Sequence, residues 1–300
     1  MRSVQRVTVV ERTRAGALAQ LLSCIRLDEV LVLQGTPIFG ALFGMGAFSK
    51  ENFPNLLLLV TASSCLVAHV FTLNDWCGTK GDLRDPNRAA RVFTARGVGP
   101  TAIAVLCGLL LTLAFLLLIP FGAAPLLVAL ALAILSAFYS LPTFAMKGVP
   151  LASSGLHIIG GLLHFMLGYA SFHALDARGL EIGAFFALTF AAGHLTHEAR
   201  DCESDRLNGI WTNAVKFGRA RSFAAGFLLF TIADTLLVVL ALLGVVPRIL
   251  VLAAALYPFQ LGWTARTWFA GLTFESVRTL QIRYRIGYAI IGLLMLFGLR

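Results

Sequence analysis

Two short stretches hold the side chains best suited to chemistry in this 300-residue sequence. The first reads Asn74-Asp75-Trp76-Cys77-Gly78-Thr79-Lys80-Gly81-Asp82, the second Glu198-Ala199-Arg200-Asp201-Cys202-Glu203-Ser204-Asp205. On a helix Asn74 and Asp82 share a face, and Glu198, Asp201 and Asp205, at i, i+3 and i+7, share another. Two such rows of oxygens have two uses. They can hold a hard cation such as Mg2+, which keeps several waters and binds one or two carboxylates together with substrate phosphate oxygens. They can also simply balance a basic surface at helix ends. The basic residues sharpen the first use. Arg84, Arg88 and Arg91 follow the first row, and Lys147 closes the stretch that begins at Tyr139 and runs through Ser140, Pro142 and Phe144. Guanidinium forks match phosphate oxygens, so acids beside arginines suit a metal-bound diphosphate. No Walker-type glycine loop or dinucleotide fingerprint accompanies them, which argues against a nucleotide.

Composition says what must carry these rows. The chain is 58% hydrophobic and 13% charged, with a mean hydropathy of +0.83. A soluble domain has about 45–50% apolar and about 25% charged residues. A disordered chain, a nucleic-acid-binding module and a soluble globular enzyme are thereby excluded, and a polytopic membrane protein is expected. Crossing about 30 Å of hydrocarbon takes about 20 apolar residues of helix. Nine stretches qualify: 30–48, 54–73, 101–119, 124–140, 151–171, 180–196, 222–245, 249–266 and 286–299. Two connections, 75–100 and 198–221, are long and charged, and they contain the acidic rows. Those rows therefore follow the second and sixth helices, at one membrane face.

The net charge of +9 fits this arrangement. With a cytoplasmic N-terminus, nine crossings leave only Lys50, Arg178, Arg248 and Arg300 of the 24 basic residues outside. The positive-inside rule predicts that bias. Residues 1–26, with Arg2, Arg6, Arg12 and Arg14 spread among apolar residues, lack the h-region and cleavage site of a secretory signal and read as a basic amphipathic segment on the membrane surface. Residues 27–300 read as one domain. Five unpaired cysteines read as small apolar fillers.

The motifs resemble those of the UbiA superfamily of intramembrane prenyltransferases over essentially the whole chain. That family has a first motif NDxxDxxxD extended as DxxHPxKxxRP, matched here by Asn74-Asp75 and by Asp82-Leu83-Arg84-Asp85-Pro86-Asn87-Arg88-Ala89-Ala90-Arg91. Its second motif, spaced aspartates followed by DRxxGxxT, is matched by Asp201 and by Asp205-Arg206-Leu207-Asn208-Gly209-Ile210-Trp211-Thr212. Its YSxPxxxK stretch is matched from Tyr139 to Lys147. The sequence departs from the pattern at Gly78, which replaces the middle aspartate of the first motif, and at Asp85, Arg88 and Val92. Loss of an anionic ligand at Gly78 leaves three readings. Asp75, Asp82 or water takes over, or the chemistry runs with one well-held metal, or the protein is inactive.

The resemblance implies an all-α bundle of nine transmembrane helices around a lipid-accessible cavity. It implies Mg2+-dependent transfer of an isoprenoid from its diphosphate to an aromatic or other lipophilic acceptor within the membrane. Asp75, Asp82, Asp201, Asp205 and Lys147 would be catalytic, and the metal set would be Asn74, Asp75, Asp82, Glu198, Asp201 and Asp205. Arg84, Arg88, Arg91, Tyr139, Asn74 and Arg206 would bind substrate. Allylic C–O cleavage separates a carbocation from pyrophosphate, so Phe138, Tyr139, Phe165 and Tyr169 are candidates to line a dry cavity around the cation. His157 and His164 share a face of the fifth helix, His69 could face the cavity, and His194 and His197 would stand at the site entrance. Asp234, in the middle of the seventh helix, should face the cavity or a buried partner. Two alternatives remain at this point. One is a terpene cyclase that needs no acceptor. The other is a cation-coupled transporter, against which the sequence shows no convincing repeat and keeps its acids at helix ends.

Overall fold

A computed structural model describes residues 14–47, 50–84, 89 and 92–299. Among the described residues the chain is helical, with turns and short 3-10 segments and no strand. Twelve α-helices follow in order: α1 (Arg14–Leu22), α2 (Leu27–Leu33), α3 (Gly35–Met45), α4 (Phe53–Asp82), α5 (Pro100–Leu118) and α6 (Ala123–Ser140), then α7 (Ala152–Ala170), α8 (Ala177–Leu207), α9 (Asn213–Phe217), α10 (Arg219–Leu242), α11 (Tyr257–Phe269) and α12 (Phe274–Gly298).

Among the described residues, six segments are long and apolar enough to cross a membrane: Lys50–Asp82, Pro100–Phe121, Ala123–Ser140, Ala177–Leu207, Arg219–Leu242 and Phe274–Gly298. Of the other three apolar stretches, two are interrupted and one is a continuous helix of lower hydropathy. Residues 30–48 are broken between α2 and α3 around Gln34, and residues 249–266 begin as a 3-10 run, Arg248–Leu256, before α11. Residues 151–171 form α7, whose two histidines and four glycines lower its hydropathy.

Two helices outrun the hydrocarbon. α4 has 30 residues and α8 has 31, about 45 Å each at 1.5 Å per residue. Each therefore extends about 15 Å beyond a 30 Å core, and the acidic rows lie on those extensions. The start of α8 is fixed by Asp176, whose Oδ1 accepts from Gly179 N at 2.8 Å and from the Tyr169 hydroxyl at 3.0 Å. The Gly179 N–H holds the Asp176 carboxyl below its ordinary pKa, as expected for an N-cap carboxylate.

Lipid replaces water outside such a bundle, so close van der Waals packing has to hold the helices together. α3 and α7 meet along glycines. A Cβ on Gly168 would lie 1.9 Å from the Pro37 carbonyl oxygen, and one on Gly40 would lie 2.1 Å from that of Phe165. The central core, including Phe43, Leu59, Phe165, Tyr169, Ile182 and Leu237, packs around this seam. Phe165 and Tyr169 are fully buried in it. They are core residues, which corrects the expectation that they line the reaction cavity. On the outer side of α5, Val105, Leu109, Leu113 and Leu116 form an exposed apolar stripe suited to lipid tails.

The seam makes a direct prediction. Gly168→Ala should destabilise the protein by about 1–3 kcal/mol, the usual range for overpacking. Gly160→Ala on the same helix, where the added methyl meets nothing within 4 Å, should not. Thermal unfolding midpoints in detergent check both, and equal midpoints for the two variants would contradict the packing account.

Candidate active site

A polar cavity of about 690 Å³ opens where the α4 and α8 extensions meet the first half of α12 and the connection from α1 to α2. From α4, Thr72, Asp75 and Asp82 line one wall, and Asp201 of α8 lines another. The end of α4 approaches the residue that follows α8, where a Cβ added to Gly81 would lie 3.4 Å from the Asn208 side chain. Two acidic motifs 119 residues apart in sequence, counted from Asp82 to Asp201, thus share one chamber.

Asp75 and Asp201, which line the cavity, each face an arginine. Arg26 Nε donates to Asp75 Oδ2 at 2.9 Å, and its Nη2 donates to Oδ1. Arg200 grips Asp201 through Nε at 2.7 Å and Nη2 at 2.9 Å, while its Nη1 donates to Gln281 Oε1 at 2.8 Å. The Arg200 guanidinium also lies 5.4 Å above the Phe274 ring. Arg278, Gln281 and Arg285 of α12 complete the wall, with Arg285 donating to Glu29 at 3.0 Å. Thr72 Oγ1 and Gln281 Nε2 are buried there without a hydrogen-bond partner. They are the polar atoms best placed to accept or donate to an incoming ligand. Lys147, in the 3-10 turn Met146–Gly148, is within electrostatic reach of Asp75.

The other expected site residues are placed as follows. Asn74 is half-buried, and Arg84 and Arg206 are exposed. Arg88 and Arg91, with Asp85, lie outside the described residues, as do Arg2, Arg6 and Arg12 of the N-terminal segment. Asp205 is buried one turn beyond Asp201, and its carbonyl accepts from Ile210 N at 2.8 Å, turning the chain back toward α9. Tyr139 packs edge-on against His157 at 5.1 Å. Gly78 lies on the Asp82 side of α4, where an added Cβ would sit 3.4 Å from Asp82 Oδ2.

Glu198 departs from expectation. Its Oε1 lies 3.0 Å from His194 Nε2 and 3.2 Å from Ser153 Oγ; its Oε2 accepts from Asn213 N at 3.1 Å and Asn213 Nδ2 at 2.9 Å. Those four contacts use up a carboxylate's acceptor capacity. Expected as a metal ligand, Glu198 instead ties α8 to α7 and α9. The histidines likewise make structural bonds. His69 Nδ1 meets the Cys107 carbonyl at 3.0 Å, His164 shares a 3.0 Å bond with Ser63, and His157 stacks on His194 at 3.5 Å. Asp234 has a buried partner in the Tyr288 hydroxyl, at 3.1 Å.

Among the described residues no three His, Cys, Asp or Glu side chains converge into a metal cage. That suits Mg2+, which needs one or two protein carboxylates when substrate phosphates supply the rest. The donors at hand, hard oxygens of Asp75, Asp82 and Asp201, are of the right type. The arginines now on Asp75 and Asp201 would be free to take phosphate oxygens.

Sequence reasoning missed Arg26, Arg200 and the α12 wall. Residues 274–285 read as a loop flanking a helix that starts at 286, whereas α12 starts at Phe274. A usable signal was present, because Arg278, Gln281 and Arg285 recur at i, i+3 and i+7.

An all-helical membrane bundle with facing aspartates and arginines at its mouth defines an intramembrane enzyme acting on an anionic, lipid-tailed substrate. The UbiA prenyltransferase family profile matches residues 36–271, and the chain belongs to that family. It is an integral membrane prenyltransferase. Among solved structures it is similar to an apo UbiA homologue from Aeropyrum pernix K1 (18% identity, 92% of this chain and all of the other, TM-score 0.72). It is also similar to a UbiA homologue from Archaeoglobus fulgidus bound to GPP and Mg2+ (17%, 93% and 99%, TM-score 0.70). A third is a digeranylgeranylglyceryl phosphate synthase (16%, 94% and 98%, TM-score 0.69). No curated protein sequence gives a significant match.

The two kinds of acid should separate experimentally. Glu198→Ala strands His194, Ser153 and Asn213 in the interior, at about 1–3 kcal/mol for each group left unsatisfied, and should lower the unfolding midpoint in detergent sharply. Asp82→Ala, at the cavity mouth, should leave it nearly unchanged. A midpoint unaffected by Glu198→Ala would refute the tethering role.

Proposed function

We propose that the protein transfers an isoprenoid group from a prenyl diphosphate to an aromatic or other lipophilic acceptor inside the membrane, with Mg2+ as cofactor. The observation that supports this most is the shared chamber. Asp75 and Asp82 from α4 and Asp201 from α8 face one cavity whose remaining walls carry arginines. The N-terminus and the cavity mouth would be cytoplasmic, as the charge bias predicts, and residues 27–300 would form the single nine-helix catalytic domain.

The diphosphate head would enter the chamber with its tail directed into the bundle. Asp75, Asp82 and Asp201, with Asp205 behind them and Asn74 beside Asp75, would hold the metal. Bound Mg2+ would supply charge neutralisation at the leaving group, worth several kcal/mol at the transition state. Arg26 and Arg200 would exchange their carboxylates for phosphate oxygens, and Lys147 would add a point charge next to Asp75. Arg84, Arg88, Arg91 and Arg206 would add positive charge that attracts the diphosphate. As the allylic C–O bond breaks, these donors stabilise pyrophosphate while the bundle keeps water from the carbocation. Tyr139, near the Lys147 turn, would present a ring to the cation. The acceptor then attacks and loses a proton.

Pyrophosphate release by the purified protein in detergent, supplied with Mg2+ and allylic diphosphates of several lengths, tests this reading. Release that stops on chelation is expected. Asp82→Ala or Asp201→Ala should slow it about 1,000-fold, corresponding to about 4 kcal/mol. No release at any chain length, with or without aromatic acceptors, would overturn the proposal. Release with a cyclic hydrocarbon as product would make the enzyme a terpene cyclase.

Gly78 supplies a second test. The side chain of Gly78→Asp would project beside Asp82, so half-maximal activity should need several-fold less Mg2+. An unchanged Mg2+ requirement would show that position 78 does not contribute to the metal site.

A further inference from the structure

The turn that presents Lys147 is strained at both ends. Ala145 has φ +45° and Leu151 has φ +64°, a region that L-residues with side chains rarely occupy unless their surroundings hold them there. Leu151 is held by one side chain, since its N–H donates to Asn213 Oδ1 at 2.8 Å. Asn213 is 3% exposed and has every polar group of its side chain engaged. Its Nδ2 donates to Glu198 Oε2 at 2.9 Å and to Ser154 Oγ at 3.0 Å, and its backbone N–H donates to the same Glu198 oxygen at 3.1 Å. The same turn lies beside the same segment, since a Cβ added to Gly148 would come within 3.7 Å of Trp211 N and 3.8 Å of Ile210 Cγ2.

From this geometry we propose that Asn213 is a positioning residue that fixes Lys147 relative to the acidic row of α8. Glu198 anchors Asn213, and Asn213 Oδ1 anchors Leu151, four residues beyond the lysine. The 3-10 turn between them is stiffened by Gly148 N to Ala145 O and Val149 N to Met146 O, both at 3.0 Å. The α8 row and the lysine therefore move as one body. A lysine has a long flexible stem and a point charge, so its use at a diphosphate depends on where its backbone is held. This also gives Glu198 a structural function in the acidic row of α8. The inference rests on the reading that Lys147 contacts the diphosphate.

The test is a double-mutant cycle on ligand affinity, using the full-length protein in detergent with Mg2+ and a non-reactive prenyl thiolodiphosphate titrated calorimetrically. Asn213→Ala should weaken binding about 10-fold in the native background, a size typical of coupled neighbours, and less than about 2-fold when Lys147→Met is already present. A general structural defect would weaken binding equally in both backgrounds, and that result would overturn the inference alone. If Lys147→Met by itself leaves affinity unchanged, the diphosphate role of Lys147 fails and the positioning role falls with it. Hydrogen exchange on the unmodified protein provides a readout that does not depend on Asn213→Ala folding. The Leu151 amide should exchange slowly, at the rate of helical amides nearby, and exchange as fast as an open turn would refute the tether.

Discussion

An ionised carboxylate at the edge of a hydrocarbon phase must have its charge met by the protein, because lipid cannot meet it. That constraint organises the molecule. Asp75 is met by Arg26, Asp201 by Arg200, and Glu198 by four neutral or imidazole donors. These contacts draw together α2, α4, α7, α8, α9 and α12, elements spread over the whole sequence. Thus the acids that would bind metal and diphosphate also determine which helices surround the cavity. The two pairs differ in exposure. The Arg26 side chain is 41% exposed, and a pair so open to solvent contributes little net stability and exchanges readily. Arg200 and Asp201 are only 18% and 11% exposed. In the proposed reaction Arg26 would therefore be the readier of the two to trade its carboxylate for phosphate.

Glu198 and Asp201 illustrate how burial divides similar groups. They are one turn apart on α8, and both begin as members of one acidic row. Glu198 is 5% exposed, with its oxygens saturated by groups from α7, α8 and α9. Asp201 opens on the cavity and meets a guanidinium. Removing a donor around Glu198 leaves a buried charge short of partners, so that position tolerates little change. Asp201 sits where solvent or a cation can compensate. Stability would therefore rest on the deeper acid and the proposed chemistry on the shallower one.

Much of this was legible in the sequence because it follows from periodicity. The apolar stretches that become α4, α5, α6, α8 and α10, the extension of α4 and α8 past the membrane edge, and the shared cavity of two acidic motifs all reflect spacing along a helix. What was not legible depends on partners distant in the chain. Arg26 reaches Asp75 across 49 residues, and Arg200 reaches Gln281 across 81. Nothing in residues 198–205 reports that Asn213 and Ser153 will occupy Glu198. The start of α12 was missed for a different reason. Its first three turns carry Glu275, Arg278, Arg283 and Arg285 among apolar residues, so hydropathy alone begins the element at its lipid-embedded half.

Gly78 can be understood in the same terms. On α4 it occupies the face of Asp82, with room for a side chain until the Asp82 carboxylate itself at 3.4 Å. A second aspartate there would place like charges side by side, and without a bound cation such pairs repel. Even with Gly78, the described cavity lining carries six carboxylates, Asp28, Glu29, Asp75, Asp82, Asp201 and Glu275, against five arginines, Arg26, Arg96, Arg200, Arg278 and Arg285, so a further aspartate would enlarge an excess of negative charge. With one acid fewer, the proposed metal site would depend more on the diphosphate that arrives with the ion. Metal and substrate would then bind as a unit, with the protein supplying hard oxygens on two helices and the phosphate supplying the remainder.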